Sequence, residues 1–199
     1  MTSSKTWLVT GASSILGAAV AETALQAGHK VIATARNCTK AAEDNPRILQ
    51  LGGSWIELDV ASPSTTKIVE DAVNKAGGVI DVVVNNAGYS LLGSIEDMSE
   101  DEIEVQFSTI VYGPVRVLKA VLPFMRMSES LARELQPFGI RVLVAEPGSL
   151  RTNFWSAYVE PRAGMNKAYV GTPWKMSFEL SRRTQGPSQA MLSNVLKEF

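Results

Sequence analysis

Short apolar runs alternate with stretches whose apolar positions recur at helical spacing through the first two thirds of the chain. Residues 6–10, 29–35, 54–58 and 80–85 read as strands, and residues 16–27 and 64–76 as the helices between them. A long helix is predicted over 99–122, ending near Pro123. Gly28 falls where a helix C-terminal cap is wanted, just before His29 and Lys30 lead into the next apolar run. Such alternation predicts an α/β fold: a doubly wound, Rossmann-like parallel sheet covered by helices. After 99–122 the alternation breaks. A further strand is due, yet 128–136 reads as another helix with Ser128 as its N-cap, and only 139–145 as the next strand. A last helix is read over 187–199. The expectation is therefore one domain spanning 1–199, missing a central strand and truncated at the C-terminal end. Either the strand at 139–145 moves over to pair beside 82–85, or a slot is left open in the sheet. Marginal stability and aggregation through exposed sheet edges follow from that expectation.

Composition narrows the function classes. With 199 residues, 45% of them apolar, the chain has enough material for one sizeable core. Its net charge of −1 and lack of a basic run argue against nucleic acid or an anionic membrane as partner. The apolar stretch 115–127 is interrupted by Arg116, Lys119 and Pro123, so it does not span a bilayer. A single histidine and a single cysteine give no metal-ligand cluster, and Cys38 has no disulfide partner within the chain. The first strand begins near Lys5, without room for an apolar targeting segment, and a reducing, cytoplasmic setting is expected.

Two motifs sit where strands end. Thr10-Gly11-Ala12-Ser13-Ser14-Ile15-Leu16-Gly17 joins the first strand to an alanine-rich helix, and Asn85-Asn86-Ala87-Gly88 follows the apolar run 82–84. A glycine-rich turn of this kind lets the backbone approach a pyrophosphate, with the helix N-terminus supplying N–H donors. On these motifs the chain strongly resembles the short-chain dehydrogenase/reductase family, over about residues 5–171. The resemblance implies NADP(H)-dependent hydride transfer between a secondary alcohol and a ketone. It also implies cofactor contacts from Gly11, Ser13, Leu16 and Gly17 in the turn and from Asn86, Ala87 and Gly88 as a platform for the adenosine ribose. Lys119 would assist along the long helix, and Leu150 and Thr152, in Pro147-Gly148-Ser149-Leu150-Arg151-Thr152, would hold the nicotinamide amide. Arg36, at the end of the second strand, stands where an arginine suits the extra phosphate of NADP. Asp59 resembles the family's acid that bonds the adenine amino group. Blander alternatives stay open for three of these: Arg36 and Lys119 as solvated charges, and Asp59 as a cap of the following turn. Ile15 stands where the family has a glycine. Either it crowds the turn and lowers affinity severely, or it takes helical angles, points into the core and merely weakens binding.

No catalytic residue is assigned. In the family a tyrosine exchanges the proton and a lysine four residues later lowers its pKa. A serine polarises the carbonyl, and an asparagine holds a water relay. The task is real, because a tyrosine with a pKa of about 10 is a poor acid or base near neutrality. Here the serine, tyrosine and lysine have no counterpart, since the sequence passes from Met125-Arg126-Met127 directly into Ser128-Glu129-Ser130, as though a stretch had been lost in frame. The asparagine position is Ile110. Tyr112 and Arg116 share a helix face four residues apart, but Tyr112 is expected to pack under the sheet with Arg116 toward solvent. Tyr89 is expected to line a substrate pocket, His29 to be a turn residue and Cys38 a loop thiol. The resemblance implies a small ketone or alcohol as substrate if the chain is active, and, because the family's oligomer interface is built from the helices that 99–122 and 128–136 resemble, it implies a homo-oligomer. The rival expectation is a pseudoenzyme: a non-catalytic NADP(H)-binding or oligomer-partner protein.

Overall fold

The computed structural model describes residues 4–124 and 158–164. The expectations at 128–136, 139–145 and 187–199, the join at Met127, and the contacts assigned to Leu150 and Thr152 lie outside the described residues. Within them, the strands and helices alternate as the sequence pattern predicts. Strands β1 (Thr6–Val9), β2 (Lys30–Ala35), β3 (Ser54–Glu57) and β4 (Val82–Val84) form one sheet in the order β3-β2-β1-β4. All three pairings are parallel. Leu8 is in register with Ile32 on one side and Val83 on the other, while Ala33 pairs with Trp55.

The central strands β1 and β2 are buried on both faces of this sheet because side chains alternate along each strand, while β3 and β4 are only partly covered. Trp7, Val9, Val31 and Ala33 pack with Ala18, Ala21 and Leu25 of α1 (Ile15–Gln26) on one face. Leu8 and Ile32 pack with Val69 and Val73 of α4 (Thr65–Lys75) and with Val117 and Val121 of α6 (Gly113–Val121) on the other. The small residues of α1 let that helix lie close to the sheet. It ends as the sequence anticipates: Gly28, at φ +84°, donates its N–H to Leu25 O and His29 donates to Ala24 O, which closes the last turn.

Three local features differ from expectation. Between β2 and β3 the chain folds into two short helices, α2 (Cys38–Asp44) and α3 (Pro46–Gln50), which the sequence pattern does not predict. They are too short to establish a period, and Asn37 and Asn45-Pro46 punctuate them more strongly than any apolar repeat. Cys38 therefore opens a helix instead of sitting in a loop, where burial first and the charge of Glu57 second push its thiol pKa up. His29 is more than a turn residue: it stacks on Trp7 with ring centroids 5.8 Å apart and accepts the Lys5 N–H at Nδ1. The long helix predicted at 99–122 is real but interrupted. It runs as α5 (Glu100–Phe107), a single π-helical turn (Ser108–Tyr112) and α6.

Candidate functional site

The site lies at the C-terminal ends of β1 and β4, the place where open parallel sheets bind ligands. Gly11 turns the chain out of β1 at φ +62°, a conformation that disfavours any Cβ. Ser14 then caps α1. Its hydroxyl accepts from Gly17 N at 3.2 Å and donates to Gly11 O at 2.9 Å. From the other strand, Asn86 reaches across with its side-chain amide, which donates to Thr10 O, Gly11 O and Ser14 Oγ at 3.0, 3.0 and 3.1 Å. Thr10 returns the link, its hydroxyl accepting from the backbone N–H groups of Asn86 and Ala87, both at 3.0 Å. The two motifs are thus one hydrogen-bonded unit. Asn86 is its fastening, a structural role beyond the ribose platform that the sequence implies.

The glycines are required by this closeness. A Cβ on Gly17 would lie 2.5 Å from Asn86 Nδ2 and from Gly11 O, and one on Gly11 would lie 2.8 Å from Ala87 Cα. Ser13 and Gly88 are exposed on either side of the unit, and Leu16 is half-buried against the core beneath it. Ile15 is the first helical residue of α1 and 47% exposed. It does take helical angles, but it does not point into the core.

Arg36 is exposed immediately after β2. Asp59 Oδ1 accepts the Ala61 N–H at 3.0 Å, so the residue does cap its own turn. Tyr89 is partly covered, and burial raises its phenol pKa; the charges of Glu102 and Asp59 add to this while that of Arg36 opposes it. Lys119 is exposed on α6.

The expectation for Tyr112 and Arg116 is corrected. Tyr112 is 55% exposed, and Arg116 is directed inward, its Nη1 donating to Val60 O at 3.3 Å and Ser108 O at 3.2 Å while its guanidinium carbon lies 5.8 Å from the centre of the Tyr112 ring. The two carbonyl oxygens are the physical reason: they give the guanidinium charge-assisted acceptors on the inner side, while the Tyr112 ring stays toward solvent. Ile110, at the centre of the π-turn, is 44% exposed.

Sequence reasoning missed two polar side chains of α5. Gln106 accepts Leu91 N–H at 2.8 Å and donates to Tyr89 O at 3.4 Å, fixing the chain that leaves Gly88. Glu102 completes a capping box, accepting from Ser99 N at 3.0 Å and Ser99 Oγ at 2.7 Å, a role that the pattern Ser99-Glu100-Asp101-Glu102 would have disclosed. The Ser99 hydroxyl, then its N–H, then the Arg162 N–H hold the Glu102 carboxyl below the usual carboxylate range. A lowered pKa means that the stabilisation is complete above the ordinary glutamate value and is lost as pH falls through the lowered one. Thermal melts below about pH 4 should therefore show the wild type losing stability faster than Glu102→Gln, which has no carboxylate to protonate. Parallel acid profiles would refute that assignment.

Among the described residues there is no group of three metal-ligating side chains, and no helix long and apolar enough to cross a membrane. Residues 5–130 match the family model for short chain dehydrogenase. The chain belongs to the short-chain dehydrogenase family, a family of oxidoreductases. A curated relative within it, oxidoreductase claN of Passalora fulva, is 40% identical over 204 residues, covering 85% of this chain and 92% of its own. The crystal structure of a short-chain dehydrogenase from Streptomyces avermitilis superposes with a TM-score of 0.76 at 31% identity, covering 98% of this chain and 84% of that one. L-sorbose reductase from Gluconobacter frateurii, solved with NADPH and L-sorbose, gives a TM-score of 0.58 at 28% identity over 62% of this chain and 48% of its own. The short-chain dehydrogenase fold accounts for the sheet order and for the unit built by Thr10, Gly11, Ser14, Gly17 and Asn86.

Proposed function

We propose that this chain binds NADP(H) in the crevice above β1 and β4 and is impaired in the family's hydride transfer between secondary alcohols and ketones. The observation that carries the first half is the preformed cradle. Gly11 and Gly17 leave no room for a side chain, and Asn86 ties the turn to the opposite strand, so the backbone is held ready without further ordering. The residues present fit the cofactor. The N-terminus of α1 offers N–H donors to a pyrophosphate, Arg36 offers a guanidinium to the extra phosphate of NADP, and the 86–88 segment offers backbone at the ribose. Ser13, Leu16, Asp59, Lys119, Leu150 and Thr152 complete the proposed contacts. Bound NADP(H) would supply the hydride. Two NADP(H)-bound structures among the family neighbours, the L-sorbose reductase and a metagenomic short-chain oxidoreductase at 25% identity, favour this choice of cofactor.

The second half rests on what this chain lacks for moving a proton. Ile110 offers no polar atom to a water relay, and Arg116 is committed to two carbonyls instead of to a phenol. The match to claN points the same way. It runs over 204 positions while drawing on 85% of a 199-residue chain, so the alignment opens gaps on this side. A cytosolic setting and homo-oligomer formation belong to the same reading. The latter is supported by Val105, Phe107, Val111, Tyr112 and Val115, exposed apolar side chains in one run of α5 to α6.

Thermal unfolding with and without NADPH tests the proposal. At a hundredfold excess over Kd, NADPH should add about 2.7 kcal/mol, which raises Tm by roughly 5–10 °C. NADH should do less, and NADPH oxidation with a panel of ketones should stay near background. The absence of a shift would end the cofactor assignment, and ready turnover would end the assignment of impairment.

A further inference from the structure

Val60, in the turn that follows β3, is gripped twice by α6. Its side chain is buried against Gly113, where a Cβ would lie 2.9 Å from Val60 Cγ2 and 3.0 Å from Val60 Cβ. Its carbonyl accepts from Arg116 Nη1 at 3.3 Å. Gly113 and Arg116 stand three residues apart on one helix, so the two contacts come from a single face. The same Nη1 donates to Ser108 O at 3.2 Å, and the Tyr112 ring lies 5.8 Å from the guanidinium carbon, within cation–π range. The helix itself does not need these contacts to stay in place, because Val117, Ala120 and Val121 are fully buried in the core.

Within the turn, the other hydrogen bonds are local. Asp59 Oδ1 accepts the Ala61 N–H at 3.0 Å, and Asp59 O accepts from Ser62 N at 3.0 Å and from the buried Thr65 hydroxyl at 2.8 Å. Local bonds of this kind fix the shape of a turn but not its place relative to distant elements. Among the described residues, the hydrogen bond that ties 59–62 to a distant part of the chain is the one from Arg116, across 56 positions. Asp59 is exposed, and its Oδ2 makes no hydrogen bond to any described residue. One carboxylate oxygen thus serves the turn, and the other remains open to a ligand.

We propose that Arg116 is a positioning residue for recognition of the adenine ring. By holding Val60 O it sets the turn 59–62 against α6, and so places the Asp59 carboxylate to accept from the adenine amino group. Arg116 acts through the turn and does not touch the nucleotide. This role rests on the reading of the crevice above β1 and β4 as an NADP(H) site. A guanidinium suits the task, since a charge-assisted bond to a carbonyl is stronger than a neutral one.

Calorimetric titration of the full chain with NADPH, and with its analogue carrying hypoxanthine in place of adenine, separates positioning from mere support. The analogue has an oxo group where adenine has its amino donor. The wild type should favour NADPH about tenfold, because a site built to accept a hydrogen bond rejects a ligand that lacks the donor. Arg116→Met keeps an aliphatic stem and loses every donor. It should weaken NADPH about tenfold and the analogue by less than roughly twofold, so that the preference disappears. Arg116→Lys, whose ammonium can still donate to a carbonyl, should restore most of it. Gly113→Ala presses on Val60 without touching the guanidinium, and should shrink the preference in the same sense. Equal weakening of both nucleotides by Arg116→Met, or an undiminished preference for NADPH, would overturn the role. A wild type that binds both equally overturns the role and leaves the NADP(H) reading standing, whereas one that binds neither ends both.

Discussion

Gly17→Ala is expected to remove the proposed cofactor site and destabilise the fold together. The new methyl would lie 2.5 Å from both Asn86 Nδ2 and Gly11 O and 2.9 Å from Ala12 Cα. Two of these three neighbours are backbone and the third is a side chain held by three hydrogen bonds, so nothing yields cheaply. Overpacking of this kind costs about 3 kcal/mol, at the upper end of its usual range, and should lower Tm by roughly 6–12 °C. Pushing Asn86 away opens the turn, so any NADPH-dependent rise in Tm should vanish as well. A control is available in Gly52→Ala, where no atom lies within 4 Å and only the positive φ of +88° is strained. That variant should lose far less stability and keep its response to NADPH. If Gly17→Ala melts within 2 °C of the wild type, by roughly the scale of a sub-kcal/mol change, the close approach is not the constraint we describe.

The second large effect is expected at Asn86. Asn86→Ala strips the donors from Thr10 O, Gly11 O and Ser14 Oγ at once. At about 1 kcal/mol for each bond, with a further cost for carbonyls left unpaired, the loss should be roughly 2–4 kcal/mol. Asn86→Asp is the sharper variant. It keeps size and shape but turns an amide donor into a carboxylate facing two carbonyl oxygens, and should be worse than alanine. Its neighbour Asn85 is exposed, and Asn85→Ala should change stability by less than about 0.5 kcal/mol. Chemical denaturation of the three variants separates these outcomes. Equal losses at positions 85 and 86 would mean that the side-chain amide does not fasten the turn.

Much of the fold was legible because its signals are local. The four strands are runs of apolar residues bounded by turn chemistry, and Gly28 marks the end of α1 as cleanly in three dimensions as in the sequence. The helices α2 and α3 were not legible, since seven and five residues cannot display a 3.6 period. Nor was the π-turn: a long amphipathic pattern predicts one straight helix, and nothing in Ser108 to Tyr112 announces the additional residue of that turn. The same contrast holds at the site. Gly11 and Gly17 could be found because a backbone requirement leaves a residue type behind. The partners that make them necessary, Asn86 for Gly17 and Ala87 for Gly11, come from a distant strand end, and the pairing of the Asn86 amide with Gly11 O is a property of the sheet and of no short motif. Gln106 and Glu102 were overlooked for a related reason, since a polar residue on a helix reads as solvent-facing until the segment it holds is placed beside it.

The span between Asn86 and the turn it fastens also orders events during synthesis. Contacts separated by 75 residues cannot form until the later partner has left the ribosome, and loop closure then delays them further. A nascent chain ending near residue 80 would already hold β1, α1 and β2, the elements that look like a complete nucleotide-binding unit. Its glycine turn would still be unfastened. If the chain binds NADP(H) as proposed, capture would be a late step, available only after β4 has docked, and the nucleotide would stabilise the finished sheet without guiding its assembly.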